Sequence, residues 1–119
     1  ESKEERPYFY KGQVEKIKAI HDLITTDLQE HYTMDELAER FQISLTGMKN
    51  CFKEVYGDSM YSYLRRYRMN IAATMLRQES KKGIAEIAGA VGYESPSKFA
   101  TAFRQVMGQT PMEYRKSFF

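Results

Sequence analysis

The sequence contains few of the residues from which disulfides, metal sites and membrane spans are built. Cys51 is the only cysteine among 119 residues, so no disulfide can form within the chain. With one thiol and only two histidines, His21 and His31, a structural zinc site is not expected. No apolar run approaches the ~18 residues that a membrane-spanning helix needs. A single cysteine fits a reducing compartment, and we expect the cytoplasm.

An initiator methionine and a signal-peptide pattern are also missing, because the chain begins with Glu1 and a polar segment. We therefore expect a fragment of a longer protein. Residues 1–11 contain Pro7 and the run Tyr8-Phe9-Tyr10 and are interpreted as a linker or arm. These aromatic residues either pack on a missing upstream domain or support the first helix.

The sequence has enough apolar residues for a core. Its charges are unevenly distributed along the chain. Hydrophobic residues make up 42% of a chain long enough for one domain or two small subdomains. Residues 1–59 hold 12 acidic and 8 basic side chains, whereas residues 60–119 hold 4 acidic and 10 basic ones. This asymmetry indicates an anionic partner for one part of the surface, with a merely solvated basic helix face as the alternative.

Apolar spacing and capping residues predict seven helices and no strand. The first is predicted over 12–30 by apolar residues at helical spacing, namely Val14, Ile17, Ile20, Ile24 and Leu28. The others are predicted from the cap Thr33 through Phe41, from the cap Ser44 to near Gly57, over 60–78, over 84–91, and after Ser95-Pro96 and Thr110-Pro111.

An internal repeat is the most informative pattern. Leu37-Ala38 matches Ile87-Ala88 at an offset of 50, which becomes 51 after an extra residue at Tyr93-Glu94. The pairs matched at 51 are Ser44/Ser95, Met48/Phe99, Phe52/Phe103, Gly57/Gly108, Ser59/Thr110 and Tyr63/Tyr114. Each unit therefore has a short helix, a turn and a capped second helix, which is the layout of a helix-turn-helix.

The turn inside each unit favours a residue that tolerates a positive φ. Gly92 occupies this place in the second unit, whereas Gln42 occupies it in the first. If the two turns are alike, Gln42 is strained by roughly 1 kcal/mol. Ala38 and Ala88 are expected to be small because the second helix of each unit crosses close by.

These residues resemble the DNA-binding domain of the AraC/XylS family of bacterial transcription regulators, which contains two helix-turn-helix motifs. The matching stretches are LAERFQISLTGMKNCFKEVYGDSMYSYLRRYRM and AEIAGAVGYESPSKFATAFRQVMGQTPMEYR, and G-x-T-P-x-E-Y-R at Gly108 to Arg115 is part of the most specific motif. The resemblance covers about residues 14–116 and implies an all-α, homeodomain-like fold. Its parts are a first subdomain at 12–58, a connecting helix at 59–79 and a second subdomain at 80–119.

The resemblance implies sequence-specific binding of double-stranded DNA, with the helices that start at Ser44 and Ser95 in successive major grooves. It implies RNA polymerase as a protein partner and an upstream effector-binding or dimerisation domain outside this chain. It implies neither a cofactor nor a metal.

Candidate contact residues lie on the outward stripe of each recognition helix. The candidates for base contact are Thr46, Lys49 and Asn50, which match the family's base-contacting positions, and Ser97, Lys98 and Thr101. The candidates for phosphate contact are Ser44, Lys53, Arg65, Arg68, Ser95 and Arg104. The alternatives are an ordinary solvated face, plain helix capping by the serines and, for Arg68, an ion pair between the subdomains.

Two other function classes are weighed against DNA binding. One is a protein-interaction module whose basic face binds an acidic partner; a steep salt dependence and competition by unrelated DNA would distinguish a duplex complex from it. The other is an enzyme, which the lack of a catalytic triad, of paired carboxylates in context and of a phosphate loop disfavours. Cys51 lies on the core stripe and is predicted to be a buried small hydrophobe rather than a catalytic thiol.

Overall fold

A computed structural model describes residues 11–79 and 81–119, and within them the chain forms seven helices and no strand. The helices are α1 (Lys11–Thr26), α2 (Met34–Arg40), α3 (Leu45–Tyr56), α4 (Met60–Gln78), α5 (Ile84–Ala90), α6 (Pro96–Met107) and α7 (Pro111–Lys116). The all-α fold class is confirmed. The aromatic run Tyr8-Phe9-Tyr10 and the rest of residues 1–10 lie outside the described residues.

The predicted end of α1 at residue 30 is wrong, because a turn begins after residue 26. Asp27 accepts a hydrogen bond on its carboxylate from the backbone N–H of Gln29 at 3.1 Å, and on its carbonyl from that of Glu30 at 3.2 Å. Aspartate commonly forms turns by binding the backbone two residues further on in this way. Leu28 continues the apolar spacing of α1 in sequence, but it lies beyond the helix.

The chain divides into two compact units whose bounds differ from those of the predicted subdomains. Unit 1 comprises Lys11–Thr26 and Tyr32–Tyr63, and unit 2 comprises Asp27–His31 and Leu64–Phe119. The turn after α1 belongs to unit 2 because Leu28 is buried in that unit's core. The first residues of α4 likewise belong to unit 1 rather than to a separate connecting segment.

Unit 1 is built around the apolar stripes of its helices. The buried side chains are Ile17, Ile20 and Ile24 of α1, Leu37 and Ala38 of α2, Met48, Cys51 and Phe52 of α3, and Met60 of α4. Because α3 buries only this stripe, the opposite side of the helix faces solvent.

Unit 2 has a larger core of the same kind. It consists of Leu28 from the turn, Met69, Ala72, Ala73 and Leu76 of α4, Ile87 and Ala88 of α5, Val91 after α5, and Phe99, Ala102 and Phe103 of α6. Only one stripe of α6 is buried, so the opposite side of this helix is also exposed to solvent.

The predicted likeness of the two turns is confirmed by their backbone conformations. Gln42 is the only described non-glycine residue with a positive φ, at 52°, and Gly92 has a φ of 96°. The backbone N–H that follows each turn residue bonds back to the matched alanine, at 3.0 Å from Ile43 to Ala38 and at 2.8 Å from Tyr93 to Ala88. The two helix-turn-helix turns therefore share one backbone design.

The repeat also extends to an aromatic pair in each unit. The ring of Tyr63 meets Phe52 edge-on at 5.5 Å, and the ring of Tyr114 meets Phe103 edge-on at 5.5 Å. The Tyr114 hydroxyl in addition accepts a hydrogen bond from Arg77 at 2.6 Å. Tyr114 therefore connects α7 to α6 by ring packing and to α4 by a hydrogen bond.

Replacing Tyr114 with alanine is expected to lower the free energy of unfolding by roughly 3 kcal/mol, because the substitution removes a large ring that packs on the core. Urea unfolding monitored by circular dichroism measures the loss. Tyr61→Ala is the control, since the Tyr61 side chain is 71% exposed and should change stability by less than about 0.5 kcal/mol. Equal stability of the Tyr114 variant and the native chain would contradict the packing role.

Candidate nucleic-acid interface

Helix α3 begins and ends at residues that fix its length. Ser44 has an extended backbone, and its hydroxyl accepts a hydrogen bond from the N–H of Gly47 at 3.0 Å. Gly57 ends the helix in the left-handed conformation with a φ of 80°. Both ends match the prediction.

The outward stripe of α3 carries the predicted side chains. Thr46, Lys49, Asn50 and Lys53 are all exposed, on the side opposite the buried stripe of unit 1. They combine a hydroxyl, an amide and two ammonium groups on successive turns of one helix, so the stripe can donate and accept hydrogen bonds and bind anions.

Helix α6 has an equivalent design. The Ser95 hydroxyl accepts a hydrogen bond from the N–H of Lys98 at 3.2 Å, Pro96 occupies the first turn, and Gly108 ends the helix with a φ of 84°. The exposed side chains include Ser97, Lys98, Thr101 and Arg104. The helix contains two basic residues and no acidic one. Its outward side therefore favours the binding of anions.

The two serines proposed for phosphate contact cap their own helices. Helix capping, the alternative considered for Ser44 and Ser95, is sufficient to explain both residues. The N-terminal ends of α3 and α6 still carry the positive end of the helix dipole, so an anion at either end would be stabilised.

Arg65 lies on α4 and reaches the recognition helix of unit 2. Its guanidinium donates a hydrogen bond to the side-chain oxygen of Gln105. The guanidinium of Arg65 is therefore bound to an exposed side chain of α6, and its contact with phosphate stays a prediction.

The prediction that Arg68 contacts phosphate is wrong. The side chain is only 6% exposed, and its guanidinium donates to three backbone carbonyls, those of Leu28, Val91 at 2.6 Å and Glu30 at 3.5 Å. Burial lowers the pKa of Arg68 below its ordinary value, which Tyr93 partly offsets. The residue therefore binds backbone within unit 2 and forms neither the phosphate contact nor the ion pair considered for it.

The cysteine and the histidines have structural surroundings. Cys51 is fully buried, and burial raises the pKa of its thiol, with a further contribution from Glu54. A thiol held protonated is a poor nucleophile. His21 stacks on Tyr56 at 4.5 Å and shares a hydrogen bond with the Tyr63 hydroxyl at 2.8 Å, in keeping with a packing role.

Among the described residues, no three or more His, Cys, Asp or Glu side chains come together as a metal site would require. None of their helices combines the length and the apolar character of a membrane span.

The chain is similar in sequence and fold to known helix-turn-helix proteins. A family model described as a helix-turn-helix domain matches residues 37–117. The chain is 37% identical over 90 residues to a protein of Streptomyces lividans named as an AraC-like transcription regulator, covering 76% of this chain and 29% of that protein. It is 30% identical to the C-terminal domain of AraT, a response regulator from Geobacillus stearothermophilus, with a TM-score of 0.79 and coverage of 86% and 84%.

A third similarity concerns the fold. The DNA-binding domain of the global transcriptional factor AdpA, solved in complex with a target DNA, has a TM-score of 0.80 at 23% identity, covering 87% of this chain and 92% of that one. The curated relatives are longer than the chain, which spans 29% to 38% of the first three.

Proposed function

Because the chain belongs to the AraC family of helix-turn-helix transcription regulators, we propose that it binds double-stranded DNA sequence-specifically through α3 and α6. The family is one of regulators and not of enzymes. The observation that carries the proposal is the repeated design itself: two capped helices, each buried along one stripe and exposing polar and basic side chains along the other. The DNA complex of the AdpA domain, which has a similar fold, supports it.

In this proposal α3 supplies most of the sequence discrimination. An amide such as Asn50 can bond two edge atoms of adenine at once, Lys49 suits the acceptors of guanine, and the methyl of Thr46 suits that of thymine. All three are exposed on one side of the helix.

Helix α6 supplies mainly affinity. Ser97 and Thr101 have short hydroxyls that reach fewer base edges than an amide does, and Lys98 adds a base or phosphate contact. Arg104 and, on α3, Lys53 lie in the last turns of their helices and are assigned to phosphates, together with Arg65 and the helix ends at Ser44 and Ser95.

The wider setting is proposed from the family resemblance alone. It includes RNA polymerase as the protein partner, an effector-binding or dimerisation domain elsewhere in the full protein, and a cytoplasmic location. A protein-interaction module that binds an acidic partner is the competing function. Unrelated duplex DNA would fail to compete for such a module.

The two stripes are expected to respond differently to substitution. Asn50→Ala should weaken binding to the preferred site by roughly 1–3 kcal/mol and relax the preference at one or two base pairs. Arg104→Ala should weaken binding similarly on all sequences and reduce the slope of log affinity against log salt by about one.

A gel-shift titration checks both variants. The preferred duplex is first selected from a random pool by the native domain, and each variant is titrated on it and on a scrambled duplex at two salt concentrations. If Asn50→Ala weakens both duplexes equally while Arg104→Ala abolishes only the preference, the two roles are reversed.

A further inference from the structure

The turn that leads into α3 is held by a side chain from outside the helix-turn-helix. The ammonium of Lys16, on α1, donates a hydrogen bond to the carbonyl of Gln42 at 2.9 Å. Gln42 is the residue that adopts the left-handed conformation without being a glycine. The cation therefore binds the turn at its strained residue.

The turn of unit 2 is also bound by basic side chains, at two neighbouring carbonyls. Arg68, on α4, donates to the carbonyl of Val91 at 2.6 Å, and His31 shares a hydrogen bond with the carbonyl of Gly92 at 2.8 Å. In each unit, then, a basic side chain from the helix preceding the helix-turn-helix binds a carbonyl of the turn.

The turn determines how α3 is presented. Directly after Gln42, the N–H of Ile43 bonds to Ala38, and Ser44 then caps the helix. A left-handed glutamine is less favourable than a left-handed glycine, so the first turn needs support that the second obtains from Gly92. A charged donor on the carbonyl of the strained residue provides that support.

We propose that Lys16 is a positioning residue for DNA recognition: by binding the Gln42 carbonyl it holds α3 in the orientation that base contact requires. This inference rests on the proposed function. If the turn leaves this conformation, only the remaining competent fraction binds the preferred site, and the apparent affinity falls by that fraction. Binding to unrelated duplexes depends on phosphate contacts and falls less.

Lys16→Met tests the proposal against Lys18→Met, which removes the same charge from an exposed position on the same helix. We expect Lys16→Met to reduce the ratio of affinities for the preferred and the scrambled duplex about fivefold, and Lys18→Met to leave the ratio unchanged. The salt slopes of the two variants should agree. A Lys16 that contacted phosphate would instead weaken both duplexes equally and lower the slope by about one, which would overturn the proposal.

Gln42→Gly in the Lys16→Met background provides the rescue. Glycine adopts the left-handed conformation freely, so the double variant should regain the native preference, whereas a lost phosphate contact would not be restored.

Hydrogen exchange of the Ile43 N–H gives a reading without DNA. Its protection should fall in Lys16→Met and return in the double variant; unchanged protection in Lys16→Met contradicts the positioning role. If the native domain shows no preference between duplexes, the proposed function fails, and the exchange measurement still decides whether Lys16 holds the turn.

Discussion

Replacing Gly92 with alanine is expected to lower the free energy of unfolding by about 2–5 kcal/mol, more than at any other glycine of the chain. Two costs add. Gly92 has a φ of 96°, where an alanine loses about 1–2 kcal/mol. A Cβ at this position would also overlap the Arg68 guanidinium and the Leu28 carbonyl oxygen, and forced overpacking costs about 1–3 kcal/mol.

Gly108 provides the matched control within the same unit. Its φ is 84°, and no atom lies within 4 Å of the Cβ that alanine would add, so Gly108→Ala should show only the conformational cost of about 1–2 kcal/mol. Urea unfolding of both variants separates the two costs. Equal losses would mean that the space around Gly92 can relax and that the close approach of Arg68 is not rigid.

Replacing Arg68 with methionine is expected to destabilise the chain by about 3 kcal/mol, although methionine preserves much of the apolar stem. The guanidinium satisfies the carbonyls of Leu28 and Val91 in a buried setting. Removing it leaves acceptors without partners, at about 1–3 kcal/mol for each buried group. Arg68→Lys should recover only part of the loss, because one ammonium cannot reproduce the fork of a guanidinium.

Lys98, on α6 of the same unit, is the control for Arg68, because its side chain is exposed. Lys98→Met should alter the free energy of unfolding by less than about 0.5 kcal/mol. Denaturant midpoints of the two methionine variants give the comparison. A similar midpoint for both would show that the carbonyls of unit 2 find other partners and that Arg68 is dispensable.

Features set by a few consecutive residues could be predicted from the sequence. Caps at Ser44 and Ser95, the left-handed glycines that end α3 and α6, and the strained turn at Gln42 depend on local backbone chemistry. The outward stripes followed from apolar spacing in the same way, and their exposure is as predicted. Their contacts with DNA stay predictions.

Features set by tertiary packing could not be predicted in this way. Leu28 keeps the spacing of α1, yet it fills the core of unit 2, because the turn at Asp27 redirects the chain. Lys16 and Gln42 are 26 residues apart, and no local pattern links them.

Arg68 is an intermediate case. It lies four residues before Ala72 and eight before Leu76, both fully buried, so the helical period already placed it on the inward side of α4. Its charge favoured the phosphate interpretation, whereas the spacing indicated burial. For the position of Arg68, the helical period was a better predictor than the charge of the side chain.

We propose that α3 and α6 occupy successive major grooves, and chemical protection by dimethyl sulfate tests this most directly. The reagent methylates guanine N7 in the major groove and adenine N3 in the minor groove. On the selected duplex we expect two protected patches of guanine N7, about 10 base pairs apart. The Lys49→Ala variant, which lacks the α3 side chain assigned to guanine, should lose protection in only one of them. A single protected patch, or protection confined to adenine N3, would contradict the account.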